Sequence, residues 1–280
     1  MLTCVKDTPG TDSYSLIRRP PGAAYSCWNM STPGFDEPAG PPASFAPDAR
    51  FADRRSAGRE LARALLGLAS RPDLLVLGLP RGGVPVAFEV ARVLGAELDV
   101  LVVRKLGVPR QPEWAMGAIG AGGVIELNPH IIEAAGVEQA ALERVLQHER
   151  AELQRREAAF RGEREAPRLR GRTVIVVDDG IATGASMRAA LAVLRHAGPA
   201  RVVVATPVAP PEAAQALDLA ARDFVALLQP RNFGGVGRFY QDFGQTQDDE
   251  VRELLARSRS APHADPAGAD STRTHHRRMP

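Results

Sequence analysis

Only two cysteines occur in the 280 residues, Cys4 and Cys27, and both lie in a Pro/Gly-rich stretch away from every apolar run. Neither has metal-ligand spacing to another residue, which excludes a cysteine-held metal, and both read as reduced and incidental. Charge of one sign is missing as well: 35 Lys plus Arg stand against 33 Asp plus Glu, a formal net charge of +2. Without a basic excess no polyanion-binding surface is implied, so nucleic acid is not expected as a partner. No apolar run approaches the roughly 20 residues a membrane-spanning helix needs, and the N-terminus lacks a basic start followed by an apolar stretch. A cytoplasmic protein without a membrane partner is the expectation. The six histidines are scattered, with no ligand cluster and no nucleophile beside them.

What is present is ordinary globular composition, 44% hydrophobic and 24% charged, enough for one large domain. Residues 1–48 carry repeated Pro and Gly, including AGPPASFAP from Ala39 to Pro47, and cannot bury enough apolar surface to offset ordering entropy. They are expected to be a disordered N-terminal arm, and residues 259–280 a disordered C-terminal tail. Between them, residues 49–258 alternate helical periodicity with short apolar runs. A helix is expected from Asp53 to Leu68, a strand from Asp73 to Leu79, a turn at Pro80 to Val84, a helix through Val90 and Val93, and a strand from Leu98 to Val103. A Gly/Pro-containing loop, a hairpin at Ala118 to Leu127 and a charged helix from Glu138 to Glu165 follow. Strands at Thr173 to Val177, Arg201 to Val208 and Phe224 to Leu228, with helices at Ala185 to Ala197 and Glu212 to Ala221, complete the pattern. Such alternation predicts an α/β fold, an open parallel sheet with helices on both faces.

The segment Val174 to Ser186, VIVVDDGIATGAS, carries the chemistry. A buried strand delivers Asp178 and Asp179 at its carboxyl end, where ligands bind in open α/β sheets. Two adjacent carboxylates repel unless donors divide them, and the vicinal hydroxyls of a ribose with Mg²⁺ nearby are such donors. Gly180 and Gly184 permit close backbone approach, Thr183 and Ser186 offer hydroxyls, and the following helix start favours a phosphate. The spacing fits neither a Walker A loop nor a dinucleotide fingerprint. A lone acidic pair before a glycine is commonly just a helix cap; the complete pattern is far more specific.

This segment resembles the phosphoribosyl pyrophosphate signature of type I phosphoribosyltransferases. The resemblance implies that Asp178 and Asp179 hold the ribose hydroxyls, and a metal through those hydroxyls and water, while Ile181, Ala182, Thr183, Gly184, Ala185 and Ser186 cradle the 5′-phosphate. Leu79 to Pro85, LPRGGVP, is similar to the pyrophosphate loop, with Arg81, Gly82 and Gly83 as its binding residues; on its own, Gly-Gly is also an ordinary strand-to-helix turn. Arg104 and Lys105 stand where the family often places a cation against the pyrophosphate. Gly107 to Gly120 resembles in position the flexible loop that closes the site, and Glu113 within it is a candidate acid/base. Asn232 to Phe243 resembles in position the small hood, with Phe239 or Tyr240 to stack on a base and Asp242 to contact metal or pyrophosphate, although alternating aromatics are more often packing. The implied activity is Mg²⁺-dependent transfer of the phosphoribosyl group from 5-phosphoribosyl 1-pyrophosphate to a nitrogenous base, and the fold class is compatible with a homodimer. Ala182 departs from hypoxanthine/guanine-type relatives, which carry an acid there, and puts an oxopurine acceptor in doubt. A non-catalytic binder of the same donor that regulates a partner, and a hydrolase or phosphotransferase on a ribose phosphate, stay open beside the transferase.

Overall fold

A computed structural model describes residues 2–6, 14–18 and 50–260. Two short strands come first, β1 (Leu2–Lys6) and β2 (Tyr14–Arg18). The expectation of disorder across residues 1–48 meets these two strands; the rest of that arm, and residues 261–280 of the tail, lie outside the described residues. Helix α1 (Arg54–Ala64) begins at Asp53, whose side chain accepts from Ser56 N at 2.6 Å while the Ser56 hydroxyl takes the Asp53 N–H at 3.0 Å. That reciprocal cap satisfies two of the amides that open a helix. After a 3-10 turn at Leu66–Leu68 come β3 (Leu74–Gly78), α2 (Gly83–Leu94) and β4 (Glu97–Val100).

The chain then leaves the main sheet to build β5 (Val103–Val108), β6 (Gln111–Gly120), β7 (Val124–Leu127), α3 (Pro129–Ala134) and the long α4 (Gln139–Arg161). It returns through β8 (Thr173–Val177), α5 (Ala185–Ala197), β9 (Arg201–Val208), α6 (Ala213–Ala216), β10 (Phe224–Leu228) and α7 (Asp248–Ser260).

The main sheet has the order β10-β9-β8-β3-β4 with every neighbour parallel, as the apolar runs predicted. Alternation along each strand divides the core in two. Val76, Ile175, Val177, Val203 and Ala205 face a layer that includes Leu61 of α1, Val90 of α2 and Leu254 of α7. Leu75, Leu77, Val174, Val176, Val202 and Val204 face Ala190, Leu191 and Leu194 of α5. Burial on both faces is why these strands read as continuous apolar runs rather than alternating ones.

A second sheet, β2-β1-β7-β6-β5, is antiparallel throughout. Here the sequence reading needs correction: Gly107 to Gly120, expected as a flexible loop, is the end of β5, a tight turn and the whole of β6. Its glycines serve close approach. A Cβ on Gly117 would lie 2.3 Å from Glu126 O, and one on Gly107 would lie 2.7 Å from Pro112 O. The strand expected from Leu98 to Val103 likewise splits, with Val103 opening the second sheet. Helix α6 is also shorter than the expected Glu212 to Ala221. Leu217 and Leu219 both pack on the α5-side core, yet residues two apart in a helix point about 200° apart. The helix therefore ends, and Asp218 takes a positive φ of 55° to turn both leucines inward.

Candidate active site

Strands β3 and β8 are parallel neighbours in register, Gly78 opposite Val177, so the segments leaving them emerge side by side at the carboxyl edge. Leu79 N donates to Val177 O at 2.9 Å and holds the two exits together. The loop after β3, whose Pro80–Arg81 peptide is cis, lies directly on the acidic pair after β8. A Cβ on Gly82 would sit 2.0 Å from Asp179 Oδ2, and one on Gly83 would sit 2.6 Å from Val177 O and 3.0 Å from Asp178 Cα. Both glycines are thus required by contact with the acidic segment, beyond any need for a tight turn.

Asp178 Oδ1 accepts from the Asp179 N–H at 2.9 Å, and Asp179 Oδ2 accepts from Arg54 Nε at 2.7 Å. Burial pushes the Asp178 carboxyl well above the ordinary carboxylate range, and the neighbouring Asp179 charge pushes it further. Burial raises Asp179 too, while the hydrogen bond and charge of Arg54 oppose the rise. The pair therefore resists carrying two charges unless a cation or donors join it. Among the described residues, Asp178 Oδ2 and Asp179 Oδ1 accept no protein hydrogen bond.

Arg54 is the functional candidate that sequence reading missed. It precedes its partner by 125 positions, and the only local signal is a basic residue at the start of a capped helix. Its Nη1 donates to Gly244 O at 2.6 Å, and its Cζ lies 4.0 Å from the centroid of the Phe243 ring. Phe243 stacks on Tyr240, centroids 4.9 Å apart, and Tyr240 Oη donates to Asp179 O at 2.5 Å. Burial drives the Tyr240 phenol upward, so it stays a neutral donor. Phe239 or Tyr240 is the candidate to stack on a base, with packing the commoner role for such aromatics; the Tyr240 ring is packed, buried between Phe51 and Phe243, and its hydroxyl serves the acidic pair.

Beyond the pair, Gly180 touches the hood: a Cβ there would lie 2.3 Å from Val236 Cγ1. Gly184 caps α5 with φ 72°, and Ala185 N reaches Thr183 Oγ1 at 3.4 Å. Ala182, Thr183 and Ser186 are exposed around this turn, with Gly184 and Ala185 half-buried between them. Ile181 is different, since its side chain is core and its N–H donates to Val208 O at 2.9 Å. A Cβ on Gly184 would lie 3.2 Å from Arg188 Nη1, which puts a cation that sequence reading did not single out beside the turn.

The remaining candidates divide. Arg81 faces Asp248 at the start of α7, 3.6 Å away. Arg104 and Lys105 are consecutive in β5 and take opposite faces: Arg104 Nε donates to Glu149 of α4 at 2.7 Å, and Lys105 Nζ to Glu113 across the hairpin at 3.1 Å. Structure thus joins Lys105 to Glu113, and Asp178 and Asp179 to Gly82 and Gly83, as two separate clusters. Phe239 is partly buried against Phe233, centroids 5.7 Å apart, and exposed Asp242 accepts from Gly244 N at 2.9 Å. His196, one of the scattered histidines, lies in the last turn of α5 and pairs with Glu126 of β7.

A family model described as "Phosphoribosyl transferase domain" matches residues 53–225. The Mycobacterium tuberculosis protein named "Putative phosphoribosyl transferase Rv0571c", strain H37Rv, is 49% identical over 208 residues, covering 74% of this chain and 47% of its own length. Its counterpart MT0597 from strain CDC 1551 gives the same figures. The chain spans about half the length of the curated relatives it matches. Among solved structures, TT1426 from Thermus thermophilus is 50% identical with a TM-score of 0.67, covering 74% of this chain and 98% of that one.

Proposed function

The chain belongs to the phosphoribosyl transferase domain family, and on that premise we propose that it transfers the phosphoribosyl group of 5-phosphoribosyl 1-pyrophosphate to a nitrogenous base or related acceptor, releasing pyrophosphate. One observation carries the reading: the Gly82–Gly83 loop lies in contact with Asp178 and Asp179. An anion-binding backbone and a carboxylate pair suited to a diol meet there at a single sheet edge. In this reading Asp178 and Asp179 receive the ribose hydroxyls, and the turn from Ala182 to Ser186 receives the 5′-phosphate at the start of α5. The backbone of Gly82 and Gly83, with Arg81, takes the pyrophosphate, and Lys105 would join it from the hairpin by exchanging its Glu113 partner for the anion. Holding the sugar at several points orients C1′ for displacement, and the cations and amides stabilise charge gathering on the leaving group. Glu113, beside Lys105, would accept a proton from the acceptor.

The donor atoms fit Mg²⁺ shared with substrate. No group of three or more His, Cys, Asp or Glu able to hold a metal occurs among the described residues. Asp178 Oδ2 and Asp179 Oδ1 are nevertheless hard oxygens without protein donors, and Mg²⁺ commonly pairs one or two carboxylates with substrate phosphates. When bound, the ion would supply charge neutralisation at the pyrophosphate. The non-acidic Ala182 favours an acceptor other than an oxopurine. No helix among the described residues is long and apolar enough to cross a membrane, and a cytoplasmic location and a homodimer belong to the same reading.

Calorimetry with phosphoribosyl pyrophosphate, with and without Mg²⁺, tests the proposal on the wild type and on the double variant Asp178→Asn/Asp179→Asn, followed by assay of pyrophosphate release with added bases. Mg²⁺-dependent binding that the double variant loses, with release only when a base is present, is the expected result. Binding without release for any acceptor favours the regulatory alternative, and absence of binding overturns the proposal.

A further inference from the structure

Arg54 occupies a position that helix stability does not explain. It is the first residue of α1, where the partial positive charge of the helix start disfavours a cation, and the acid that precedes it, the N-cap Asp53, is engaged with Ser56 N. Its side chain retains only 13% of its exposure, so it is also largely desolvated. The guanidinium is fixed from three directions: Asp179 Oδ2, Gly244 O and the face of Phe243. A planar fork suits such a site, where a flexible ammonium would not bridge all three. The pyrophosphate-loop candidate Gly82 closes the fourth side, since a Cβ there would lie 3.2 Å from Arg54 Nε. Meanwhile Tyr240 Oη binds the backbone oxygen of Asp179 itself. The residue is thus held at its main chain and at one carboxylate oxygen, leaving the other free.

We propose that Arg54 is a positioning residue of the sugar site: by holding Asp179 Oδ2 it presents Oδ1 in one orientation to the ribose diol and sets the preference for a sugar bearing its 2′-hydroxyl. This rests on the donor-site reading above. A carboxylate with one oxygen committed cannot rotate to meet a differently placed donor, so loss of a single hydroxyl leaves its free oxygen unpaired. Without Arg54, Asp179 can turn and its neighbouring charge is uncompensated, so the site should still take a sugar phosphate but read its hydroxyls poorly. A role in fold stability alone would shift melting and leave the ratio of affinities for two sugars untouched.

The test is calorimetry on the full chain with ribose 5-phosphate, 2-deoxyribose 5-phosphate and inorganic phosphate. The wild type is expected to prefer the ribose form by about tenfold or more. Arg54→Met should bring the two within about threefold while changing affinity for inorganic phosphate by less than about twofold, and Arg54→Lys, which keeps one charged donor, should recover part of the preference. If the methionine variant fails to fold, Arg54→Gln is read in the same way. An undiminished preference in the variant overturns the assignment of Arg54 alone. A wild type that binds both sugars equally, or neither, overturns the donor-site reading and the assignment with it.

Discussion

At Asp178 binding and folding make opposite demands. Its burial raises the carboxyl above its unfolded-state value, so the folded protein holds more protons between the two values. Stability from this group is therefore greatest below the unfolded value and declines as pH rises through the raised one. At pH 7 the buried carboxyl is therefore a liability in the unliganded protein. Asp178→Asn is expected to raise the wild-type Tm at pH 7 by about 2–4 °C, the shift that about 1 kcal/mol gives a domain of this size, with the gain shrinking as pH falls toward about 4. A lower Tm at pH 7 would contradict that balance. Lys105 makes the converse case. Its pair with Glu113 joins a side chain 33% exposed to one 92% exposed, and such pairs contribute about 0–1 kcal/mol. Lys105→Ala should leave melting almost unchanged yet cut pyrophosphate release by about tenfold or more, and Glu113→Gln should slow turnover at saturating substrate. An unaltered rate in either variant removes that residue from the chemistry.

Among the elements, β8, β9 and β10 run over the spans the apolar runs predicted, as does α5. Those segments are covered on both sides or on one broad face, so burial writes itself directly into residue type. Elements set by distant contacts were not legible. The β5–β6 hairpin carries glycines that read as an irregular loop and are points of backbone approach within paired strands, and α6 yields to the need to bury Leu217 and Leu219 together. Arg54 belongs here too, because a partner 125 positions away leaves no local periodicity. Gly180 lies between the two kinds: the signature named it for backbone access, and its contact with Val236 of the hood came from the fold. Gly180→Ala should cost about 1–3 kcal/mol through the 2.3 Å overlap with Val236 and weaken donor binding by displacing the hood. Adding Val236→Ala should restore much of both, and additive losses in the double variant would show that the contact is not the cause.

For the whole molecule, residues 50–260 contain the complete main sheet, its two cores and every candidate site residue. The T. thermophilus structure is matched over 98% of its length by 74% of this chain, so a fold of this extent stands as a separate protein there. Against independence, β1 pairs with β7 through Leu2–Leu127, Thr3–Glu126 and Cys4–Ile125, so removing it bares a sheet edge. That edge is backed by β6 and tied to α5 by the Glu126–His196 pair, which joins the second sheet to the main one without help from β1. A chain of residues 50–260 should therefore unfold in one cooperative transition, with donor affinity within about twofold of the full chain. Its concentration-dependent self-association, measured by sedimentation, should exceed that of the full chain, because the uncovered β7 edge offers unpaired backbone groups. Two separate transitions would mean that the antiparallel sheet depends on the first strand, and would move the boundary of the functional unit back to residue 2.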